Sequence, residues 1–198
     1  MDTDFDLLDR WRAGDKAAGQ VLFERHFDTL CGFFESKLDV DADDLVQKTM
    51  LACVASKDRF RKESSFRTYM FTVARHELYH YLRGKRRDGA RLDFSVSSIV
   101  DILTTPGSRM VKHAERQRVV DALRRLPVEQ QTLLELYYWQ ELEIEAIGEV
   151  FEVEIGTARV RLHRARKKLR DLLEAEGDPQ AIDKLGKSAP GSKPGRDP

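Results

Sequence analysis

Three features of the sequence predict an all-α protein, built as two small helical domains joined by a flexible linker. Apolar residues recur at helical spacing along most of the chain, and no run shows the strict alternation of a strand. The periodicity fails over residues 88–110, where Gly89, Ser95, Ser97, Ser98, Pro106, Gly107 and Ser108 collect. On these grounds residues 1–90 form one domain, 91–110 the linker, and 111–175 a second domain. Residues 176–198, rich in Gly, Pro, Lys and Ser, form a disordered tail.

The elements follow in order. A short first helix carries Phe5, Leu8 and Trp11, and Gly14-Asp15 ends it. A longer one follows on the stripe Val21, Phe23, Phe27, Leu30, Phe34 and Leu38. Ala42, Leu45, Val46, Thr49, Met50, Cys53 and Val54 make the next stripe, with Asp41 or Asp43 as its cap. Phe66, Tyr69, Met70, Val73, Ala74, Leu78 and Tyr81 make a fourth, capped by Ser64 or Ser65. Within the linker, Ile99–Leu103 forms at most a short turn. Beyond it, Val111, Ala114, Val119, Ala122, Leu123 and Leu126 form a stripe, and Pro127 stops it or starts the next helix. Leu133, Leu134, Leu136 and Tyr137 belong to the next helix, and Ile144, Ile147, Val150 and Phe151 to a short one. Ala158, Leu162, Ala165, Leu169, Leu172 and Leu173 define the last, opened by Gly156-Thr157.

The 198 residues carry 34 Lys plus Arg against 34 Asp plus Glu, so the net charge is zero. That zero is a cancellation between blocks. Residues 1–50 balance to −6, 51–92 to +7, 116–155 to −5 and 156–173 to +6. Each domain therefore has its own basic segment, a footprint for a polyanion whatever the total charge. No apolar run is long enough to span a bilayer, and the acidic start lacks the basic and apolar parts of a signal peptide. The two cysteines, Cys31 and Cys53, are too few for a disulfide framework or a four-thiolate zinc site. Both lie in apolar helical patterns, as buried free thiols do, and the expected compartment is the cytoplasm.

Residues 141–173 have the pattern short helix, turn, basic helix. A helix-turn-helix needs this division, with one face packed on its partner and the N-terminal part of the other in the major groove. Arg159, Val160, Arg161, His163 and Arg164 lie early enough to meet base edges, and Lys167 and Lys168 are placed for phosphate. A basic amphipathic helix on an acidic protein or membrane surface is the plainer alternative.

The stretch Gly156-Thr157-Ala158-Arg159-Val160-Arg161-Leu162-His163-Arg164-Ala165-Arg166-Lys167-Lys168-Leu169 resembles region 4 of bacterial sigma factors of the extracytoplasmic-function (ECF) group of the sigma-70 family. Its approach, Leu123-Arg124-Arg125-Leu126-Pro127-Val128-Glu129-Gln130-Gln131 followed by Leu136-Tyr137-Tyr138, does so too. The first half agrees independently. Asp41-Ala42-Asp43-Asp44-Leu45-Val46-Gln47-Lys48-Thr49 is similar to region 2.2. Phe60-Arg61-Lys62-Glu63-Ser64-Ser65-Phe66-Arg67-Thr68-Tyr69, with Val73-Ala74-Arg75 after it, is similar to regions 2.3 and 2.4. The likeness spans residues 5–173.

The resemblance implies a non-catalytic factor that joins core RNA polymerase and directs it to promoter DNA, with no cofactor or metal. It places Asp44, Leu45, Gln47, Lys48 and Thr49 against the polymerase clamp helices. It assigns capture of a flipped minus-ten base to the loop from Phe60 to Phe66, with Arg61 and Lys62 beside it. An extruded base needs an aromatic or apolar pocket and nearby cations, and these residues supply both. Arg67, Arg75, His76, His80, Arg83, Arg86 and Arg87 would follow the non-template strand. Thr157, Arg159, Val160, Arg161, His163, Arg164, Lys167 and Lys168 would meet the minus-thirty-five duplex, while the same region touches the polymerase beta flap. An anti-sigma factor is a further partner that the family supplies. The chain departs from the family pattern at Lys48 (commonly an acid), His76 (often Asn), Glu152 (commonly Gly) and Val160 (often Ser).

Two competing functions are open to the sequence. One is a helix-turn-helix repressor acting on duplex DNA without polymerase; it would not need the basic, aromatic segment of the first half. The other is a zinc protease, because His76-Glu77-Leu78-Tyr79-His80 matches H-E-x-x-H. Against the protease, no H-x-x-G-x-x-H extension follows, and Arg75 and Arg83 flank the motif with charge that repels a dication.

Overall fold

The computed structural model describes residues 2–85, 92–103 and 114–175, and these contain nine helices and no strand element. Arg86, Arg87, residues 104–110 and the tail 176–198 lie outside the described residues. In the first half, α1 (Asp4–Arg12), α2 (Lys16–Glu35), α3 (Ala42–Ser56) and α4 (Phe66–Lys85) pack together. Thr3 and Asp6 form a capping box on α1, and Asp15 caps α2 by accepting from the Ala18 amide at 3.1 Å. Between them Gly14 turns the chain at φ 104°, a conformation that favours glycine. Gly19 lets α2 press on α1: a Cβ there would stand 2.6 Å from the Trp11 ring.

The buried face of α2 differs from the predicted stripe. Val21 and Phe27 are exposed at 45% and 46%, whereas Leu22, His26, Leu30, Phe33 and Phe34 are buried. His26 belongs inside because Asp4 meets its Nε2 at 2.7 Å, which leaves the imidazole satisfied against Phe66. The start of α3 also differs. Asp41 is left-handed (φ 66°) and makes no cap bond. Its carboxylate instead accepts from the Tyr81 hydroxyl at 2.8 Å and Lys85 Nζ at 3.0 Å. At α4 the cap is Ser65, which accepts from the Thr68 amide at 3.0 Å.

The second half comprises α6 (Ala114–Arg124), α7 (Val128–Tyr138), α8 (Ile144–Phe151) and α9 (Ile155–Ala175). The last helix begins at Ile155, one residue before the predicted Gly156-Thr157 opening, since the Ala158 amide already bonds Glu154 O. Its buried stripe is Ala158, Leu162, Ala165, Leu169 and Leu173, packed on α7 and α8.

Residues 92–103, within the expected linker, are packed. Leu92, Phe94, Ile99 and Ile102 are buried there, and Ser98 caps a short helix α5 (Ile99–Ile102). This segment also completes α7. Pro127 offers no side-chain cap, and the first-turn amides of Val128 and Glu129 donate to Ser97 O and Phe94 O at 3.0 and 3.1 Å. Phe94 stacks on Tyr79 of α4 at 4.0 Å between centroids.

The two halves share one core. A continuous buried cluster runs from Leu30 and Phe71 through Phe94 and Ile99 to Leu134, Phe151 and Leu169, and α4 lies against α8. Apolar burial on this scale, at about 1.5–3 kcal/mol per large side chain, dominates the contact. Polar ties cross the same boundary. Arg124 bonds Ser36 O at 2.9 Å and Asp39 at 3.2 Å, Arg67 donates to Gln140 at 3.1 Å, and Lys37 pairs with Glu135 out of solvent.

Candidate nucleic-acid interface

In the second half the turn between α8 and α9 sets the geometry. Glu152 holds φ 56°, ψ 43°, and the amides of Glu152 and Val153 return to Glu149 O and Gly148 O. A left-handed residue that is not Gly costs about 1 kcal/mol or more. Glu152 thus carries strain at a backbone position that Gly would adopt freely. Opposite the buried stripe of α9, Thr157, Arg159, Val160, His163, Arg164, Lys167 and Lys168 are exposed. Arg161 is half-buried and bonded to Glu129 at 2.8 Å, and Arg159 reaches Glu145 at 3.7 Å. Arg166 lies over the rings of Tyr137 and Tyr138, which makes it a packing residue of this unit.

In the first half, Phe60 stacks on Tyr69 at 4.5 Å and meets Phe66 edge-on. Arg12 anchors this loop by donating to Lys57 O and Phe60 O. Nothing in the sequence marked Arg12, since its partners lie 45 and 48 residues away. Arg61 is exposed; Lys62 sits at φ 60° and pairs with Asp9 at 2.5 Å.

Further along α4, His76, His80 and Arg83 are exposed on a cleft of about 1030 Å³ between the halves. Arg75 is not. It is 8% exposed, lies between the rings of Tyr79 and Phe151, and bonds Glu152 at 2.6 Å. His76 Nε2 stands 3.3 Å from the same carboxylate. Burial pushes the Glu152 carboxyl up, but the Arg75 and His76 contacts outweigh it and leave it below the ordinary carboxylate value. Arg67 is likewise half-buried against Gln140. Three of the side chains predicted to follow a DNA strand, Arg67, Arg75 and His76, are therefore engaged by the second half of the same chain. Among the described residues, no three His, Cys, Asp or Glu side chains gather to hold a metal.

On α3 the predicted polymerase-facing set divides. Asp44, Gln47 and Lys48 are exposed, with Asp44 and Lys48 paired at 2.6 Å one turn apart. Leu45 and Thr49 are buried, at 1% and 0%, and face the core. The exposed face continues instead through Leu51 and Val54, at 67% and 41%. Spacing of three and four residues from Gln47 and Lys48 could have found Leu51.

These features define a two-part helical protein with a helix-turn-helix in one part and an aromatic loop beside a basic helix in the other. The comparisons with known proteins agree. The profile of Sigma-70 region 2 matches residues 22–88, and that of Sigma-70 region 4 matches residues 116–169. The ECF RNA polymerase sigma factor EcfG of Rhodopseudomonas palustris is 32% identical over 136 residues, 69% of this chain and 73% of that one. The ECF RNA polymerase sigma-E factor of Haemophilus influenzae is 26% identical over 181 residues, 87% and 96% of the two chains. Among solved structures, the sigma factor RpoE of Bartonella quintana, in complex with the anti-sigma factor NepR, has a TM-score of 0.61 at 26% identity. It covers 79% of this chain and 97% of its own. The chain belongs to the ECF group of the sigma-70 family of RNA polymerase sigma factors.

Proposed function

We propose that this alternative sigma factor docks on core RNA polymerase, reads the minus-thirty-five duplex with α9 and holds melted minus-ten DNA with the Phe60 loop and α4. The observation that carries this is the pairing of two DNA-suited surfaces in one chain. One is a helix-turn-helix helix exposing Arg159, Val160, His163 and Arg164; the other is an aromatic loop leading into α4, which exposes His76, His80 and Arg83 further along. A repressor needs only the first. Residues 1–90 act as the minus-ten and polymerase-binding domain, 111–175 as the minus-thirty-five domain.

Polymerase docking falls on the exposed face of α3, where Asp44, Gln47 and Lys48 adjoin Leu51 and Val54. The clamp helices are the partner of that face, and the beta flap the partner of the second half. An anti-sigma factor is a further partner, supported by the likeness to RpoE, whose structure contains NepR. The chain works in the cytoplasm and catalyses no step itself. Among the described residues no helix is long and apolar enough to cross a membrane.

Run-off transcription with core polymerase tests the proposal, using templates selected by genome-wide binding. A promoter-specific transcript dependent on this protein is expected. Intact duplex binding with no transcript on any selected template would refute it in favour of a repressor.

A further inference from the structure

The minus-ten and minus-thirty-five elements are about 25 base pairs apart, or about 85 Å at roughly 3.4 Å per pair. A compact chain of this length has a radius of gyration of about 16 Å. Two halves that share one core cannot reach both elements. If the function proposed above is right, on which this inference rests, the packed form is a closed state that must open.

Beside the shared apolar core, one polar contact across the boundary falls on a side chain assigned to DNA. Arg75 is a nearly buried guanidinium, and its one ion pair among the described residues is with Glu152, from the other half. Among the described residues its Nε is buried without a hydrogen-bond partner. The guanidinium lies by the rings of Tyr79 and Phe151, and its Nη2 also stands 2.8 Å from His76 Nε2. The Glu152 oxygen that meets it also meets His76. Carboxylate and phosphate oxygens satisfy guanidinium donors with the same charge-assisted geometry. Glu152 keeps this position at the cost of a left-handed backbone that Gly would adopt freely. Strain retained at one residue is a reason to look for a role, and the carboxylate's target supplies one.

We propose that Glu152 is an internal stand-in for a DNA phosphate. In the free chain its carboxylate occupies Arg75, with His76 alongside, latches the two halves together and withholds the Arg75 guanidinium from single-stranded DNA. Opening exchanges Glu152 for phosphate, so polymerase or promoter engagement releases the latch. Apparent affinity for DNA is scaled by the open fraction.

The test uses the full chain in a Cys31→Ser, Cys53→Ala background, with a dye pair on Asp58→Cys and Asp171→Cys, both exposed positions. Energy transfer reports closure, and anisotropy reports binding of a fluorescein-labelled single-stranded 12-mer. Glu152→Lys is compared with Glu149→Lys, an equal charge change on an exposed residue one turn earlier. Glu152→Gln is the milder second variant. Expected are lower energy transfer in both Glu152 variants and roughly fivefold tighter oligonucleotide binding for Glu152→Lys than for Glu149→Lys. Unchanged energy transfer in both Glu152 variants, or equal tightening by Glu152→Lys and Glu149→Lys, overturns the latch. Failure of run-off transcription by the wild type would instead overturn the sigma function, and leaves the energy-transfer result standing.

Discussion

Lys37 and Glu135, 98 residues apart in sequence, form an ion pair in which neither side chain exceeds 1% exposure. The ammonium also bonds Phe33 O at 2.8 Å and lies over the Phe33 ring. The carboxylate takes a further bond from Ser36 Oγ at 3.0 Å, and Gln131 donates to its other oxygen at 2.8 Å. Burial pushes the Lys37 ammonium down, with Glu135 opposing. A pair so fully supplied with partners joins the C-terminal end of α2 to the middle of α7, and with it the two halves.

Removing one partner should hurt far more than removing both. Lys37→Met strands a buried carboxylate, which costs about 3–5 kcal/mol. Lys37→Met with Glu135→Leu replaces the pair by apolar packing and should fall within about 1–2 kcal/mol of wild type, on either side. Urea unfolding at neutral pH measures both. A single variant as stable as wild type would mean that water reaches the pair.

The elements were legible where one face meets one neighbour. On α9 the apolar positions Ala158, Leu162, Ala165 and Leu169 are all buried, because the periodicity of that helix is strong and most residues of its other faces are charged. On α2 the pattern misled. Val21 and Phe27 lie outward and His26 inward, since the residue that satisfies His26 is Asp4, 22 positions away. On α3 the family motif is linear, but a helix has two sides, and Leu45 and Thr49 belong to the core side. Closure of the halves was not legible at all. Lys37, Arg75 and Glu152 look like surface charges, and only the folded chain pairs them.

His26 should make stability fall as the solution is acidified through the range just below neutrality. Burial lowers its pKa from 6.5, and Asp4 opposes this without reversing it, while Arg67 and Arg25 add to the lowering. The unfolded chain therefore takes up the proton first. The stabilisation is full above 6.5 and is lost as pH falls toward the lower folded value. Melting temperatures from pH 7.5 down to 5.5 should drop for wild type and drop less for His26→Gln. Parallel curves would show that the Asp4 contact cancels the effect of burial, and a steeper drop in the variant that it outweighs it.

Phe60→Ala should impair strand opening more than duplex binding. Phe60 is half-buried and stacked on Tyr69, so the substitution also loosens the loop that Arg12 anchors. Permanganate reactivity of unpaired thymines should fall sharply at a promoter where mobility shift of the upstream duplex persists. Equal loss in both assays would remove Phe60 from base capture.

Arg161 must exchange Glu129 for DNA before it can read a base, because the two are 2.8 Å apart. Arg161→Ala should cost about 1–3 kcal/mol at one base position of the upstream element. Glu129→Gln should tighten duplex binding without changing which base is preferred. Titrating a panel of singly substituted duplexes checks both, and uniform weakening across the panel by Arg161→Ala would make it a phosphate contact.

Backbone and charge at Glu152 can be separated. Glu152→Gly relieves a left-handed residue, worth about 1 kcal/mol, but loses the contact with Arg75 and His76. Glu152→Gln loses the charge and keeps the strain. Urea unfolding should therefore find Glu152→Gly at least as stable as wild type and Glu152→Gln less stable by up to about 1 kcal/mol. The Arg75 guanidinium loses its counterion in either case, so both variants should bind single-stranded DNA more tightly than wild type. A stable Glu152→Gly with wild-type DNA affinity would show that the turn, and not the carboxylate, is what this residue contributes.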